Sequence, residues 1–226
     1  MTNEKIEEYE RIISLYIDNN QWIVNPKEND DPIITYIADT LINEAIAEEK
    51  EITIFMHSFE QFGEIYLIEL HNRFKKKWRL EQKVESKLSE GVSISELVHS
   101  IKDTLRYTFI IEDNVYVSKV EEILRSIEER YKLNSFKNSW SNSYYKGINS
   151  SFMLDNGFLF EVQFHTPTSY TIKEGKLRDV YNIIRNPNSD PKIVDIANRI
   201  RLYYQSFVKI PDGAIEFNYE SRKQVK

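Results

Sequence analysis

Carboxylates set into apolar strands, and cations repeating at helical spacing, are the residues of this chain best suited to chemistry. In FLFEVQFH, residues 158–165, alternation with period two places Phe158, Phe160, Val162 and Phe164 on one face, and Leu159, Glu161, Gln163 and His165 on the other. A carboxylate in the middle of a core-like strand needs a metal, a base or water in a cleft; the plain alternative is the solvated face of an edge strand. Asp103 stands at the mouth of TLRYTFII, with Arg106 and Thr108 behind it. If the two strands are neighbours, Asp103 and Glu161 become paired carboxylates able to hold Mg²⁺, an ion that bridges phosphate oxygens in phosphoryl transfer; otherwise Asp103 is a cap or turn residue. In HNRFKKKWRLEQKVESK, Lys75, Arg79, Lys83 and Lys87 recur at i, i+4, i+8 and i+12, which on a helix is one nearly straight stripe. With Lys76 and Lys77 that makes six positive charges within thirteen residues. Such a run is either a solvated face interleaved with Glu81 and Glu85 or a phosphate grip. The segment SNSYYKGIN, residues 141–149, adds aromatic rings for stacking, one lysine, and a glycine that lets backbone approach a ligand.

The elements that must position these residues follow from periodicity. The first ninety residues read as helical: Ile6, Tyr9, Ile13 and Tyr16 form one stripe, Ile34, Ile37, Leu41, Ile42 and Ala45 a second after Pro32, and a third helical stretch is expected over 55–88, with a break near Gly63. Residues 20–31 read as a polar connection and 96–101 as a short helix. Residues 104–111 then read as a strand, 117–131 as a helix, and 148–154 with 158–165 as a hairpin around Asp155-Asn156-Gly157. Two helices close the pattern, one from Pro167 to Arg185 and one starting at Asp190-Pro191. This order predicts an α/β or α+β fold with one mixed sheet of about five strands.

Composition excludes several classes. The chain has 226 residues, no cysteine, four histidines without metal-binding spacing and a net charge of −6. Disulfide scaffolds, thiolate zinc sites and thiol catalysis are ruled out, and so is a general nucleic-acid polycation. The charged start MTNEKIEEYE lacks the apolar region of a secretory signal, and no run is long enough to span a membrane. The expected site of action is cytoplasmic.

Over residues 74–185 these pieces occur in an order that resembles the synthetase domain of the RelA/SpoT family, in particular its divergent toxin-like members. The family's donor helix, Arg-x-Lys-x-x-x-Ser-x-x-x-Lys, is similar to Lys77, Arg79, Lys83 and Lys87 at the same spacing. Its strand-opening Asp resembles Asp103, and its acceptor loop, Gly-Tyr-x-Ser-Ile-His, resembles Tyr144-Tyr145-Lys146-Gly147-Ile148-Asn149. Its Glu-x-Gln-x-Arg-Thr strand resembles Glu161-Val162-Gln163-Phe164-His165-Thr166. The departures are Lys77 for Arg, Lys83 for Ser, Arg106 at a position that is usually small, Asn149 for His and His165 for Arg, more of them on the acceptor side than on the metal side. The resemblance implies a nucleotidyltransferase-like fold with extra N-terminal helices. It divides the chain into a helical region over 1–62, a synthetase-like domain over 63–210 and a tail over 211–226. It implies an ATP-dependent pyrophosphokinase with Mg²⁺ on Asp103 and Glu161, Glu161 as base, ATP on Lys77, Arg79, Lys83 and Lys87, and the acceptor on Tyr145, Lys146, Asn149, Gln163 and His165. The acceptor is a purine nucleotide or the 3′ end of tRNA; a degenerate nucleotide-binding module is the non-catalytic alternative. An immunity or antitoxin protein and a second copy of the chain are the partner classes, with no membrane.

Overall fold

The computed structural model describes residues 1–20 and 29–219; most of the polar connection expected over 20–31 and the end of the tail lie outside the described residues. A mixed sheet of five strands organises the fold: β1 (Ile65–Ile68), β2 (Leu105–Ile111), β3 (Lys132–Asn138), β4 (Ile148–Met153) and β5 (Leu159–His165), in the order β1-β2-β5-β4-β3. β2 and β5 run parallel, and the other pairings are antiparallel. The Asp-Asn-Gly hairpin joins β4 to β5, with Gly157 at φ +86°.

β5 is a central strand, buried along its whole length, so the edge-strand reading of Glu161 does not apply. One face of the sheet carries Tyr107, Phe109 and Ile111 from β2 and Phe160, Val162 and Phe164 from β5. Against it pack the second half of helix α2 (Pro32–His57) and the apolar stripe Val120, Ile123, Leu124 and Ile127 of α5 (Tyr116–Glu128). Residues 214–219 close this core: Asn138 Nδ2 donates to the carbonyls of Ala214 and Phe217 at 2.7 and 2.8 Å.

Two smaller clusters flank the main one. The first half of α2 packs through Ile34, Ile37 and Leu41 on Leu80 and Val84 of α3 (Lys77–Ser89) and Leu97 of α4 (Ile94–Val98). Helix α1 (Asn3–Asn19) packs through Ile6 and Ile13 on α7 (Arg178–Arg185) and α8 (Pro191–Gln205).

The helix expected over 55–88 is two helices separated by strand β1 and a 3₁₀ turn at Leu70–Asn72; pairing with β2 takes Ile65–Ile68 into the sheet. α3 starts at Lys77, so Lys75 and Lys76 precede it, and the backbone N–H of Lys75 donates to Thr104 O at 2.9 Å. The helix expected from Pro167 to Arg185 is also divided, into α6 (Pro167–Thr171), a π turn (Ile172–Lys176) and α7.

Candidate active site

The sheet face opposite the main core supplies the floor. Register places Arg106 beside Glu161 and Thr108 beside Gln163 across the β2–β5 pair, and Asn149 beside Gln163 across the β4–β5 pair. Glu161 is 9% exposed, and each of its oxygens has an amide donor: Asn149 Nδ2 to Oε1 at 3.1 Å and Gln163 Nε2 to Oε2 at 2.7 Å. Both amides are held in turn. The Tyr145 hydroxyl donates to Asn149 Oδ1 at 2.8 Å, and Lys173 Nζ, on the π turn, donates to Gln163 Oε1 at 3.0 Å. A carboxylate so pinned cannot rotate without breaking a charge-assisted hydrogen bond.

His165 ends this network. It shares hydrogen bonds with the Tyr145 hydroxyl at 2.9 Å and Ser169 Oγ at 3.0 Å, and Tyr145 lies edge-on to its ring. Burial, reinforced by the Lys173 charge, pulls the imidazole pKa well below its ordinary value. Burial and the Glu161 charge push the Tyr145 phenol up. Gly147, at φ +149°, lets the loop lie on His165: a Cβ there would stand 2.9 Å from His165 Cε1 and 3.0 Å from Phe164 O.

Above the floor lies a cleft of about 320 Å³. Lys75, Lys76 and Arg79 line it beside α3, Arg106 on β2, Lys173 on the π turn, and Arg178 and Arg185 on α7; the acids among its lining residues are Glu69, Glu174 and Asp179. Arg79 donates to Asn182 Oδ1 of α7, tying the two walls together, and its guanidinium lies 4.2 Å from the Trp78 ring. Burial and the nearby Arg185 lower the Arg79 pKa. Behind Lys75, which lines the cleft, Asp103 is bound by two ammonium groups, Lys75 Nζ on Oδ2 and Lys83 Nζ on Oδ1, the latter at 2.7 Å. Burial by itself raises the Asp103 carboxyl, but the two lysines outweigh it and hold it far below the usual carboxylate range.

No model of a known protein family matches the chain, and no curated protein matches it in sequence. Solved structures match its fold. The small alarmone synthetase 1 of Bacillus subtilis, bound to its product pppGpp, shares 11% identity over 83% of this chain and 92% of its own, at a TM-score of 0.46. The smu.1046c protein of Streptococcus mutans UA159 shares 16% identity over 82% of this chain and 92% of its own, at a TM-score of 0.46. The complex between the Type VI effector Tas1 and its immunity protein contains a chain that shares 20% identity over 74% of this chain and 94% of its own, at a TM-score of 0.49. At these identities the likeness to the synthetases is one of fold.

Of the residues singled out in the sequence, Arg79 and Gln163 line the cleft, and Glu161, Asn149, Tyr145 and His165 join Gln163 in one hydrogen-bonded network. Asp103 and Lys83 pair with each other, outside the residues that line the cleft. Lys77 binds Asp39 of α2 at 2.7 Å, Lys87 binds Glu90 at the end of its own helix at 2.9 Å, and Lys146 Nζ donates to the Trp140 carbonyl at 2.8 Å. Lys75 was visible in the stripe, but Lys173, Arg178 and Arg185 carried no expectation. A signal for two of them existed: Arg178, Asn182 and Arg185 at i, i+4 and i+7 share one helical face. Lys173 had none, because a π turn leaves no periodic signature in five residues.

Proposed function

We propose that the chain is a pyrophosphokinase that moves the β,γ-pyrophosphate of ATP onto the ribose 3′-hydroxyl of a purine nucleotide and releases AMP. The observation that carries this reading is a cationic cleft, lined by Gln163, whose side-chain amide holds one oxygen of the neighbouring Glu161 carboxylate while Asn149 holds the other. Phosphoryl transfer asks a protein chiefly for positioning and for neutralisation of charge, and the cleft offers both. Lys75 and Arg79, which line the cleft, take the triphosphate together with Lys83, while Lys77 and Lys87 are held by Asp39 and Glu90; Tyr145, Lys146, Asn149, Gln163 and His165 shape the acceptor side. Glu161 accepts the proton of the 3′-hydroxyl as its oxygen bonds to the β-phosphorus, and the bond from that phosphorus to the α,β-bridging oxygen breaks, leaving AMP.

A divalent cation belongs to the same proposal. Glu161 on β5 and Asp103, two residues before the start of the parallel strand β2, are hard oxygen donors, a donor type that suits Mg²⁺; the β2 residue beside Glu161 is Arg106. Among the described residues no group of three or more acidic or histidine side chains could hold a metal, so substrate oxygens and water would complete its shell. When bound, Mg²⁺ would offset charge on the phosphate oxygens. A toxin-like role, answered by an immunity protein, is part of the proposal. Among the described residues no helix is long and apolar enough to cross a membrane.

One observation favours a second acceptor, the 3′ end of tRNA. Tyr144 and Tyr181 are 40% and 42% exposed, and Arg201 lies 5.1 Å from the Tyr144 ring and 5.8 Å from the Tyr181 ring. Exposed rings flanked by guanidinium groups suit stacking of unpaired bases. The deciding experiment offers β,γ-labelled ATP and Mg²⁺ with GDP, GTP, ADP, ATP or bulk tRNA in separate reactions. Label should move to one acceptor, and Glu161→Gln should slow that transfer by about 10²–10⁴-fold without loss of folding. Transfer at the normal rate by the variant removes Glu161 from the mechanism, and ATP binding with no transfer to any acceptor leaves a nucleotide-binding module.

A further inference from the structure

We propose that Lys75 and Lys83 are a two-cation latch that closes Asp103 to a divalent cation until a polyphosphate draws the ammonium groups away. The inference deepens the pyrophosphokinase reading and rests on it. Each oxygen of the Asp103 carboxylate already has its own cation: Lys75 on Oδ2, and Lys83 on Oδ1 at 2.7 Å. The Asp103 side chain is 19% exposed and that of Lys75 12%, so water screens the cluster poorly. Two positive charges against one negative leave the site net positive, and a bare doubly charged ion approaching Asp103 meets repulsion from both lysines before it gains a ligand.

A polyphosphate reverses the balance. Lys75 and Arg79 line the same cleft, so the anion that fills the cleft lies against the ammonium group that now covers Asp103. Lys83 is one helical turn beyond Arg79 on α3 and is 30% exposed at its side chain, which leaves its stem room to turn. Once the phosphate oxygens take the two lysines, Asp103 regains free lone pairs beside a dense negative charge, and the cation enters with its ligands assembled. Metal and polyphosphate then bind with positive coupling, and by linkage each raises the affinity for the other equally. A neutral serine at position 83, the residue of the resembled motif, would leave one carboxylate oxygen open and weaken that coupling.

Mn²⁺ is the probe, with its free concentration read by electron paramagnetic resonance on the full chain without nucleotide. The latch predicts that Lys83→Ser binds free Mn²⁺ at least about tenfold more tightly than the parent, about 1.4 kcal/mol. Asp103→Asn added to that variant should abolish the gain. Lys83→Gln, which keeps a long stem, should show the same gain, so a folding failure of one variant does not decide the result. Parent and Lys83 variants binding free Mn²⁺ equally, or a gain that survives Asp103→Asn, overturns the latch. Pyrophosphoryl transfer by the parent is scored separately: transfer without a Mn²⁺ gain rejects the latch and keeps the reading, and a gain without transfer keeps the latch and rejects the reading.

Discussion

Glu161 and His165 stand four residues apart on the same face of β5, in opposite electrostatic settings. Glu161 is surrounded by donors, two amides whose own acceptors are filled by Tyr145 and Lys173. His165 is fully buried, and both burial and the Lys173 charge disfavour its cation. The consequence for stability has a definite sign. In the unfolded chain a histidine takes up its proton near pH 6.5, whereas folded His165 stays neutral well below that. Stability from this group is therefore complete above about pH 6.5 and falls as pH drops below it, by up to about 1.4 kcal/mol per pH unit. Urea unfolding at a series of pH values checks this, and His165→Gln should flatten the slope between about pH 6.5 and 5; an unchanged slope would assign it elsewhere.

Elements place these residues, and the tightest requirement falls on the loop before β4. Gly147 adopts φ +149°, with the sites a side chain would need taken by the His165 ring and the Phe164 carbonyl. Gly147→Ala must push the loop off β5 or strain its backbone, at a cost of about 1–3 kcal/mol. It should also loosen the Tyr145–His165 contact, so denaturant unfolding and the near-ultraviolet signal of Tyr145 should change together. The hairpin holding β5 was legible because Asn-Gly between two β-prone runs has few other uses. β1 and β3 were not. Ile65–Ile68 is a four-residue apolar run that fits helix or strand equally, and pairing with β2 decided it. Lys132–Asn138 is an edge strand with polar residues on its open side, and such a strand reads as a loop.

Across the whole molecule, charge and packing are unevenly distributed. A chain of net charge −6 concentrates cations in one cleft, and the two walls of that cleft belong to different apolar clusters. α3 is backed by α2, whereas α7 is backed by α1 and α8. The Arg79–Asn182 hydrogen bond joins the walls. Ile183 is fully buried in the second cluster and contributes nothing directly to the cleft. Ile183→Ala should destabilise the chain by about 2–5 kcal/mol through the cavity it leaves. Because it unseats α7, it should also weaken binding of a non-hydrolysable ATP analogue, measured by calorimetry. Unchanged affinity at reduced stability would show that the α7 wall does not touch the nucleotide.

The sequence by itself determined the β4–β5 hairpin, the alternation that puts Glu161, Gln163 and His165 on one face, and the cationic run beginning at Lys75, because these follow from periods of two and 3.6 and from turn chemistry within a few residues. It also marked Glu161 as a carboxylate in need of a partner. Only the tertiary structure decided who the partners are. Lys75 and Lys83 meet Asp103 across separations of 28 and 20 residues, and Asn149 reaches Glu161 across 12, all through strand register and helix packing that no local window contains. Lys77 is sent to Asp39 by the packing of α3 on α2, whereas Lys87 meets Glu90 three residues on, a pair local to the end of its own helix. A local pattern sets the face a side chain occupies, and long-range packing sets what it meets there.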